Sequence, residues 1–283
     1  MSRKLLIYNI PHIHYEIIES VIYYKQKIIK ELKKFNNVKI YLKVNKKNKD
    51  FIEYIVNKYP DIEVNQNNQN INFDWIINCT IYPDMLKFLK KDEKHFYISH
   101  RVHKDLLEMP NVFYLTPLCK NNRYFLPTLL PIIEKVETDI PIYCIQGNIS
   151  TGSRNYHLLT TILKKKYKYD FKIKIIGKGK YPEKLAKYSD KLIVKPDLPF
   201  RKYHQEFSDV YCIIPLIIRK THWDYYQNKL TSTISYALGY DLHILIDKNL
   251  NDIYNMPNGY IFNDLTDISE IFEKSLVNFY EKK

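Results

Sequence analysis

Glycine is unevenly distributed in this chain, and its positions suggest where a phosphate group can bind. The 283 residues contain six glycines, and all of them lie between Gly147 and Gly259. Glycine is needed where a backbone turns with positive φ or approaches a ligand closely. Gly147 and Gly177 each end an apolar run typical of a strand, and the turn from such a strand into a helix commonly holds phosphate. We therefore expect both glycines to let a phosphorylated ligand approach the backbone.

Two groups of residues near these glycines have the chemistry of an anion site. Arg154 opens a predicted helix just after Gly147, and a guanidinium can donate two parallel hydrogen bonds to phosphate oxygens. Lys229 precedes Thr231 and Ser232 at the start of another predicted helix. An ammonium, two hydroxyls and the first N–H groups of a helix together can bind an anion. A plain helix N-cap beside a solvated lysine is the alternative interpretation of the second group.

Three histidines of the N-terminal half follow predicted strands and can exchange protons. His12 and His14 lie in the loop after the first strand, and His100 directly follows a later one. A histidine in such a place can accept a proton from a hydroxyl group or bind the hydroxyl by a hydrogen bond. A hydrogen-bonded histidine that only ends a strand is the alternative for each.

Strand-like and helix-like patterns alternate through both halves of the chain, which is typical of βαβ units and parallel sheets. A segment with two prolines at 126–138 reads as a linker between the halves. We therefore predict a first α/β domain at 1–135, a second at 136–265, and a terminal helix at 266–283 that packs back on the first domain. The predicted strands of the two halves are 4–9, 38–44, 73–79, 95–99 and 112–116, then 141–146, 171–176, 191–194, 210–215, 242–246 and 259–262.

Composition limits the class of protein and its location. The chain is 45% hydrophobic and has a net charge of +13, so it can bury two cores and attract anionic partners. Abundant Lys, Asn, Ile and Tyr, whose codons are A/T-rich, offer a second explanation for the charge. The four cysteines are widely spaced, and we expect them to be reduced and buried. No run suits a signal peptide or a membrane span, which predicts a cytoplasmic protein, in the host cytoplasm if the source is viral.

Four segments of the C-terminal half, in this order and spacing, resemble the donor-binding domain of the GT-B glycosyltransferases, particularly the glycogen-synthase-like group (family 4). The first is Ile145-Gln146-Gly147-Asn148 with the Ser153-Arg154-Asn155 that follows it. The others are the strand ending in Gly177-Lys178-Gly179, the stretch from Tyr226 to Ile246, and the segment that begins Asn258-Gly259-Tyr260. The resemblance covers about residues 140–265.

The resemblance implies an α/β fold of two Rossmann-like, doubly wound parallel-sheet domains that face each other across a cleft. It implies a metal-independent glycosyltransferase of the hexosyltransferase type. The enzyme would need no cofactor and would move a sugar from a UDP- or GDP-linked donor to a hydroxyl of a glycan, lipid-linked or protein acceptor. The residues it assigns to the donor are Gly147, Arg154, Gly177, Tyr226, Lys229, Thr231 and Ser232. It places His100, or one of the loop histidines His12 and His14, near the transferred sugar as the catalytic group.

The sequence departs from that family where its retaining members carry two glutamates eight residues apart. The stretch 223–239 contains no glutamate, and Asp224 is its only acid, so retention or inversion of configuration stays open. Two alternatives also stay open: a nucleic-acid-binding protein or nucleic-acid glucosyltransferase, and a nucleotide-sugar-binding module without activity. A nucleotide-sugar epimerase is a third, but it needs several acids in the cleft, and the acid-poor motifs argue against it. Contact with a membrane surface and the oligomeric state are open as well.

Overall fold

The chain folds into two compact α/β units. The computed structural model describes residues 3–9, 14–31, 38–45, 49–65, 71–81, 83–119 and 123–282, with the side chains of 27–31, 83 and 84 excepted. Unit one comprises Met1–Leu130 with Asn228–Leu230, and unit two comprises Pro131–Gln227 with Thr231–Lys283.

Unit one is built on a parallel sheet of six strands in the order β3-β2-β1-β4-β5-β6. Its strands are β1 (Arg3–Asn9), β2 (Val38–Val44), β3 (Ile62–Val64), β4 (Trp75–Ile81), β5 (His95–Ser99) and β6 (Val112–Tyr114), and its helices are α1 (Tyr15–Glu31) and α2 (Lys49–Lys58), with short 3₁₀ helices at Pro83–Phe88 and Lys104–Leu106. The strand order reverses between β1 and β4. In open sheets of this kind, ligands bind at the carboxyl ends of the strands beside such a reversal.

The centre of the unit-one sheet is apolar on both faces. Leu5, Leu6 and Ile7 follow one another in β1, and all three side chains are buried, as expected for a central parallel strand covered on both sides. The pairing of β4 with β5 shifts register between Asn78 and Ile81. Such irregularities redirect side chains at strand ends, and this one lies at the carboxyl edge of the sheet.

Unit two repeats the same architecture in the order β12-β11-β10-β7-β8-β9. Its strands are β7 (Ile142–Asn148), β8 (Lys172–Lys178), β9 (Leu192–Pro196), β10 (Val210–Ile213), β11 (His243–Asp247) and β12 (Gly259–Phe262), and its helices are α3 (Tyr156–Lys164), α4 (Phe200–Gln205), α5 (Asp224–Gln227), α6 (Ser232–Gly239), α7 (Lys248–Tyr254) and α8 (Ile268–Glu281), with a kinked 3₁₀ segment at Glu183–Lys191. The order reverses between β7 and β10, so their carboxyl ends are where a ligand is expected.

The last helix belongs to the core of unit two. Phe272 and Leu276 of α8 are fully buried in that core, and the Phe272 ring lies 4.4 Å from the ring of Tyr143 in β7. The Tyr143 hydroxyl shares a 2.6 Å hydrogen bond with Ser275. The buried face of α8 packs against α3 and β12 as well as Tyr143 of β7. The packing of this helix on the first domain stays a prediction.

The elements agree with the sequence pattern except where they are short. The short strand β3 was not among the predicted strands, and the helical segments Pro83–Phe88 and Glu183–Lys191 are 3₁₀ helices. Segments of three to seven residues carry too few turns of a helix or alternations of a strand to leave a periodic signal. All four cysteines are free and buried. Within the described ranges, no helix combines the length and the apolarity needed to span a bilayer.

Candidate functional site

Gly147 and Gly177 are paired residues at the carboxyl ends of β7 and β8. Their φ angles are +97° and +144°, and a Cβ on Gly177 would lie 1.8 Å from the Gly147 carbonyl oxygen. Glycine is therefore required at 177 by the neighbouring strand itself, whether or not a ligand binds. A Cβ on Gly147 would instead meet the Arg154 Nη2 atom at 3.0 Å. The pair thus lets two strand ends and a guanidinium lie together.

Arg154 is a buried cation at this strand end, with only 4% of its surface exposed. Its Nη1 atom donates a 3.0 Å hydrogen bond to the Ser153 carbonyl, and Nη2 donates to the carbonyl of Gln146. Tyr225 supplies a further side-chain hydrogen bond. The Nε atom is buried and has no hydrogen-bond partner in the described part of the chain. The Nε donor of the guanidinium is therefore still available.

The charge of Arg154 is not balanced inside unit two. None of the ion pairs among the described residues includes it, and its electrostatic partners are tyrosines. Burial lowers the pKa of Arg154, although an arginine stays protonated at neutral pH. Its charge, after burial itself, also lowers the pKa of His222. A buried cation without a counter-ion is costly, so the site favours an anion.

The start of α6 lies at the same place. Ser232 Oγ accepts a 3.1 Å hydrogen bond from Gln146 Nε2 and lies 3.8 Å from the position of a Cβ on Gly147. Thr231, the N-cap of α6, makes no side-chain capping bond. The N-terminus of a helix carries partial positive charge and N–H donors. The structure therefore brings Gly147, Arg154, Thr231 and Ser232 together around one potential anion position, named here the Arg154 site.

Lys229 and Tyr226 are placed differently. Lys229 belongs to unit one, where its backbone bridges to Arg101. The Tyr226 side chain is buried, donates a 3.2 Å hydrogen bond to the Ile217 carbonyl and bonds with the Asp247 carboxylate. These contacts hold Tyr226 in the interior of unit two, and Lys229 lies with the histidines of unit one.

Two of the predicted histidines meet in unit one. The rings of His14 and His100 lie 3.8 Å apart, and His100 Nε2 lies 3.4 Å from Thr80 Oγ1 at the end of β4. His14 has a left-handed backbone with φ of 70°, a strained conformation that tends to occur at functional sites. Its Nδ1 atom lies 3.5 Å from a carboxylate oxygen of Glu16. His12 lies outside the described residues.

The surroundings of His100 keep its ring neutral. Burial lowers its pKa well below the usual value, and the electrostatic effects of His14 and Lys229 lower it further. A hydrogen bond with the backbone of Cys79 raises it again in part. A neutral imidazole at the carboxyl edge of β5 can accept a proton or a hydrogen bond from a hydroxyl group.

A cavity of about 320 Å³ opens beside the ends of β8 and β9, and its lining is mainly apolar. The residues around the cavity are Ile149, Gly179, Lys180, Tyr181, Glu183, Ala186, Val194 and Pro196. An apolar wall with a few polar groups is typical of small-molecule sites.

Sequence reasoning missed two residues that interact with Arg154 from the segment after β10. Tyr225, which bonds to Arg154, and His222, which lies within its electrostatic range, follow β10. Only the position of this loop, after an apolar strand at the reversal of strand order, could have indicated them.

Comparisons with known proteins identify the fold. No protein-family model and no curated protein sequence matches the chain. A glycosyltransferase from Rickettsia africae is similar in structure, with a TM-score of 0.58, 12% identity, and coverage of 98% of this chain and 89% of that one. A glycosyltransferase involved in avilamycin A biosynthesis has a TM-score of 0.55, 10% identity, and coverage of 98% and 88%. A protein described as a UDP-N-acetylglucosamine 2-epimerase, from Listeria monocytogenes, has a TM-score of 0.50, 9% identity, and coverage of 99% and 89%.

These likenesses, with two parallel six-stranded sheets of Rossmann order, define the class. The chain has the GT-B fold of two Rossmann-like domains found in glycosyltransferases. Because the identities are about 10%, the comparisons establish the fold, and the activity must be argued from the site.

Proposed function

We propose that the protein is a glycosyltransferase that moves a sugar from a nucleotide-diphosphate sugar to a hydroxyl acceptor. One observation carries the proposal: Arg154 is a buried cation without a carboxylate partner among the described residues. It lies at the glycine-lined end of β7, beside the start of α6. A diphosphate supplies the missing negative charge and can accept hydrogen bonds from the guanidinium and the helix.

The same arrangement suits the chemistry of the reaction. Transfer of the sugar leaves a nucleoside diphosphate whose negative charge grows as the glycosidic bond breaks. Donors fixed in advance at that position stabilise the transition state. In this proposal, Arg154 and the N-terminus of α6 provide the positive potential that a metal ion provides in other enzymes. The cavity beside Gly179 accepts the base of a UDP- or GDP-linked donor.

Unit one supplies the proton acceptor in this proposal. His100 is neutral at pH 7 because its pKa is held low, so it can accept a proton from the acceptor hydroxyl or orient that hydroxyl. His14 contacts His100 and is the alternative base. Lys229 contributes positive potential to the histidine pair, and its donor role stays a prediction. The acceptor is a glycan, a lipid-linked molecule or a protein in the cytoplasm.

A thermal-shift screen tests the proposal. The free protein is heated with UDP-, GDP-, ADP- and dTDP-linked sugars, and release of the nucleoside diphosphate is measured in parallel. A donor at 100 times its Kd adds about 2.7 kcal/mol to the stability. We expect one base to give a clear shift and slow release of its diphosphate. If no nucleotide sugar shifts the melting temperature, the proposal is wrong.

The second candidate is a nucleotide-sugar-binding module without activity, and the absence of glutamate in 223–239 favours it. A shift without any release of diphosphate, in the presence of a broad set of hydroxyl acceptors, would support this candidate instead.

A further inference from the structure

The segment that contains His222 and Tyr225, two residues that interact with Arg154, also carries an exposed tryptophan. Trp223 exposes 55% of its surface, although a ring of this size is usually well buried. The residue before it, His222, is buried and lies within the electrostatic range of Arg154. Tyr225, two residues later, bonds to the Arg154 guanidinium. Along the chain, this exposed aromatic residue therefore lies between two residues that interact with Arg154.

The turn that carries Trp223 is anchored at several points. The Asn155 N–H donates a 2.7 Å hydrogen bond to the Leu216 carbonyl, and its side-chain amide donates to Thr221 Oγ1 at 3.3 Å. Thr221 Oγ1 also lies 2.7 Å from His222 Nδ1. Leu216 is buried with a left-handed φ of 52°, a strain that surrounding contacts must hold in place. The main chain that leads to Trp223 is thus held in place without a ligand, and this lowers the entropic cost of binding one.

The strand order sets what Trp223 can contact. Reading across the sheet, β9 and β8 stand on one side of β7, and β10 stands on the other. The apolar cavity lies at the ends of β8 and β9, the Arg154 site lies at the end of β7, and Trp223 follows β10. The cavity therefore lies on one side of β7, and the segment that leads to Trp223 leaves the sheet on the other side.

A nucleotide sugar has the same linear order, because its diphosphate separates the base from the sugar. With the diphosphate at Arg154 and the base in the cavity, the sugar ring extends toward Trp223. The face of a hexopyranose that is formed by ring C–H bonds is apolar, and it can pack flat against an indole ring.

We propose that Trp223 is the platform on which the sugar ring of the donor stacks, and that it sets which sugars are accepted. The proposal rests on the proposed function and adds a specificity-determining residue to it. Hexopyranoses with a continuous C–H face bind well, whereas sugars with an axial hydroxyl on that face bind less well.

Isothermal titration of four proteins tests the platform. Wild type, Trp223→Ala, Trp223→Phe and the control Phe88→Ala are titrated with UDP, GDP, ADP and dTDP and with the glucose conjugate of each. Phe88 is an aromatic in unit one that is 72% exposed. We expect Trp223→Ala to weaken the nucleotide sugar about tenfold, or about 1.4 kcal/mol, and the matching nucleoside diphosphate less than about twofold. Trp223→Phe should keep most of the affinity, and Phe88→Ala should change neither Kd.

The outcomes separate this inference from the proposed function. If Trp223→Ala weakens diphosphate and nucleotide sugar equally, the ring contacts the nucleotide, and the sugar platform is refuted. If it changes neither Kd, the platform is refuted while the donor site stands. If wild type binds none of the eight ligands, the proposed function itself fails, and this inference fails with it.

Discussion

Arg154→Met separates the contribution of Arg154 to folding from its contribution to binding. Methionine is similar in length and removes the buried charge, which relieves a desolvation cost of several kcal/mol. The change also leaves the carbonyls of Gln146 and Ser153 without the hydrogen bonds that Arg154 donates, at about 1–3 kcal/mol each. Because these effects oppose each other and are similar in size, we expect the stability of the ligand-free protein to change by less than about 2 kcal/mol.

The effect on ligand binding is much larger. Removing one partner of a buried, hydrogen-bonded charge pair costs about 2–5 kcal/mol, or at least about thirtyfold in affinity. A donor at 100 times the wild-type Kd adds about 2.7 kcal/mol to wild type but less than about 1 kcal/mol to Arg154→Met. In a thermal-shift assay, a rise of roughly 5–11 °C then becomes a rise below about 4 °C.

A second arginine provides the matched control. Arg123 donates hydrogen bonds to the carbonyls of Met109 and Leu107 in unit one, so it also bonds to main-chain oxygens. We expect Arg123→Met to lower the melting temperature of the free protein and to leave the rise caused by the donor unchanged. The reasoning is refuted if Arg154→Met unfolds the protein while Arg123→Met does not, or if both variants keep the full shift with the donor.

Three further predictions concern the architecture around the sites. Gly177→Ala should cost more than about 3 kcal/mol in urea unfolding, because its Cβ would meet the main chain of the neighbouring strand, whereas Gly152→Ala, with nothing within 4 Å, should cost less than about 1 kcal/mol; equal costs would contradict the account. The low pKa of His100 means that below about pH 6.5 the unfolded chain binds a proton that the folded protein does not. Wild-type stability should therefore fall as the pH drops from 7 to 5.5, and His100→Asn should reduce that fall by up to about 1.4 kcal/mol per pH unit; an unchanged slope would refute the assignment. Lys174→Met should cost about 1–3 kcal/mol because this buried ammonium pairs with two carboxylates. Lys165→Met, which breaks an exposed pair, should cost less than about 1 kcal/mol. A larger loss of unfolding free energy for Lys165→Met than for Lys174→Met in the same assay would contradict this prediction.

Long apolar strands and their order along the chain could be predicted from the sequence. The run 4–9 became β1, and 38–44 became β2, because a central parallel strand buried on both faces needs successive apolar residues. The glycines also gave true information, since Gly147 and Gly177 both adopt positive φ. Gly177 is required in addition by the Gly147 carbonyl of the neighbouring strand, and that neighbour could not be identified from the sequence alone. The approach of a phosphate to Gly177 stays a prediction.

Positions that depend on contacts between distant segments could not be predicted. Lys229 is two residues from Thr231, and its place in the predicted anion site stays a prediction. The bridge of its backbone to Arg101, which makes it part of unit one, could not be found from the sequence. The pairing of His14 with His100 likewise joins loops far apart in the chain. Trp223 carried no signal, because a single exposed aromatic residue in a loop has no periodic neighbours.

A crystal structure of the protein with its nucleotide sugar tests the central claim most directly, because it shows where the diphosphate binds. The crystals are grown with the nucleotide sugar that gives the largest thermal shift. We expect phosphate oxygens within hydrogen-bond distance, about 2.7–3.2 Å, of the Arg154 guanidinium and of the first N–H groups of α6. A diphosphate bound elsewhere, with the Arg154 Nε atom still without a partner, would contradict the proposed donor site.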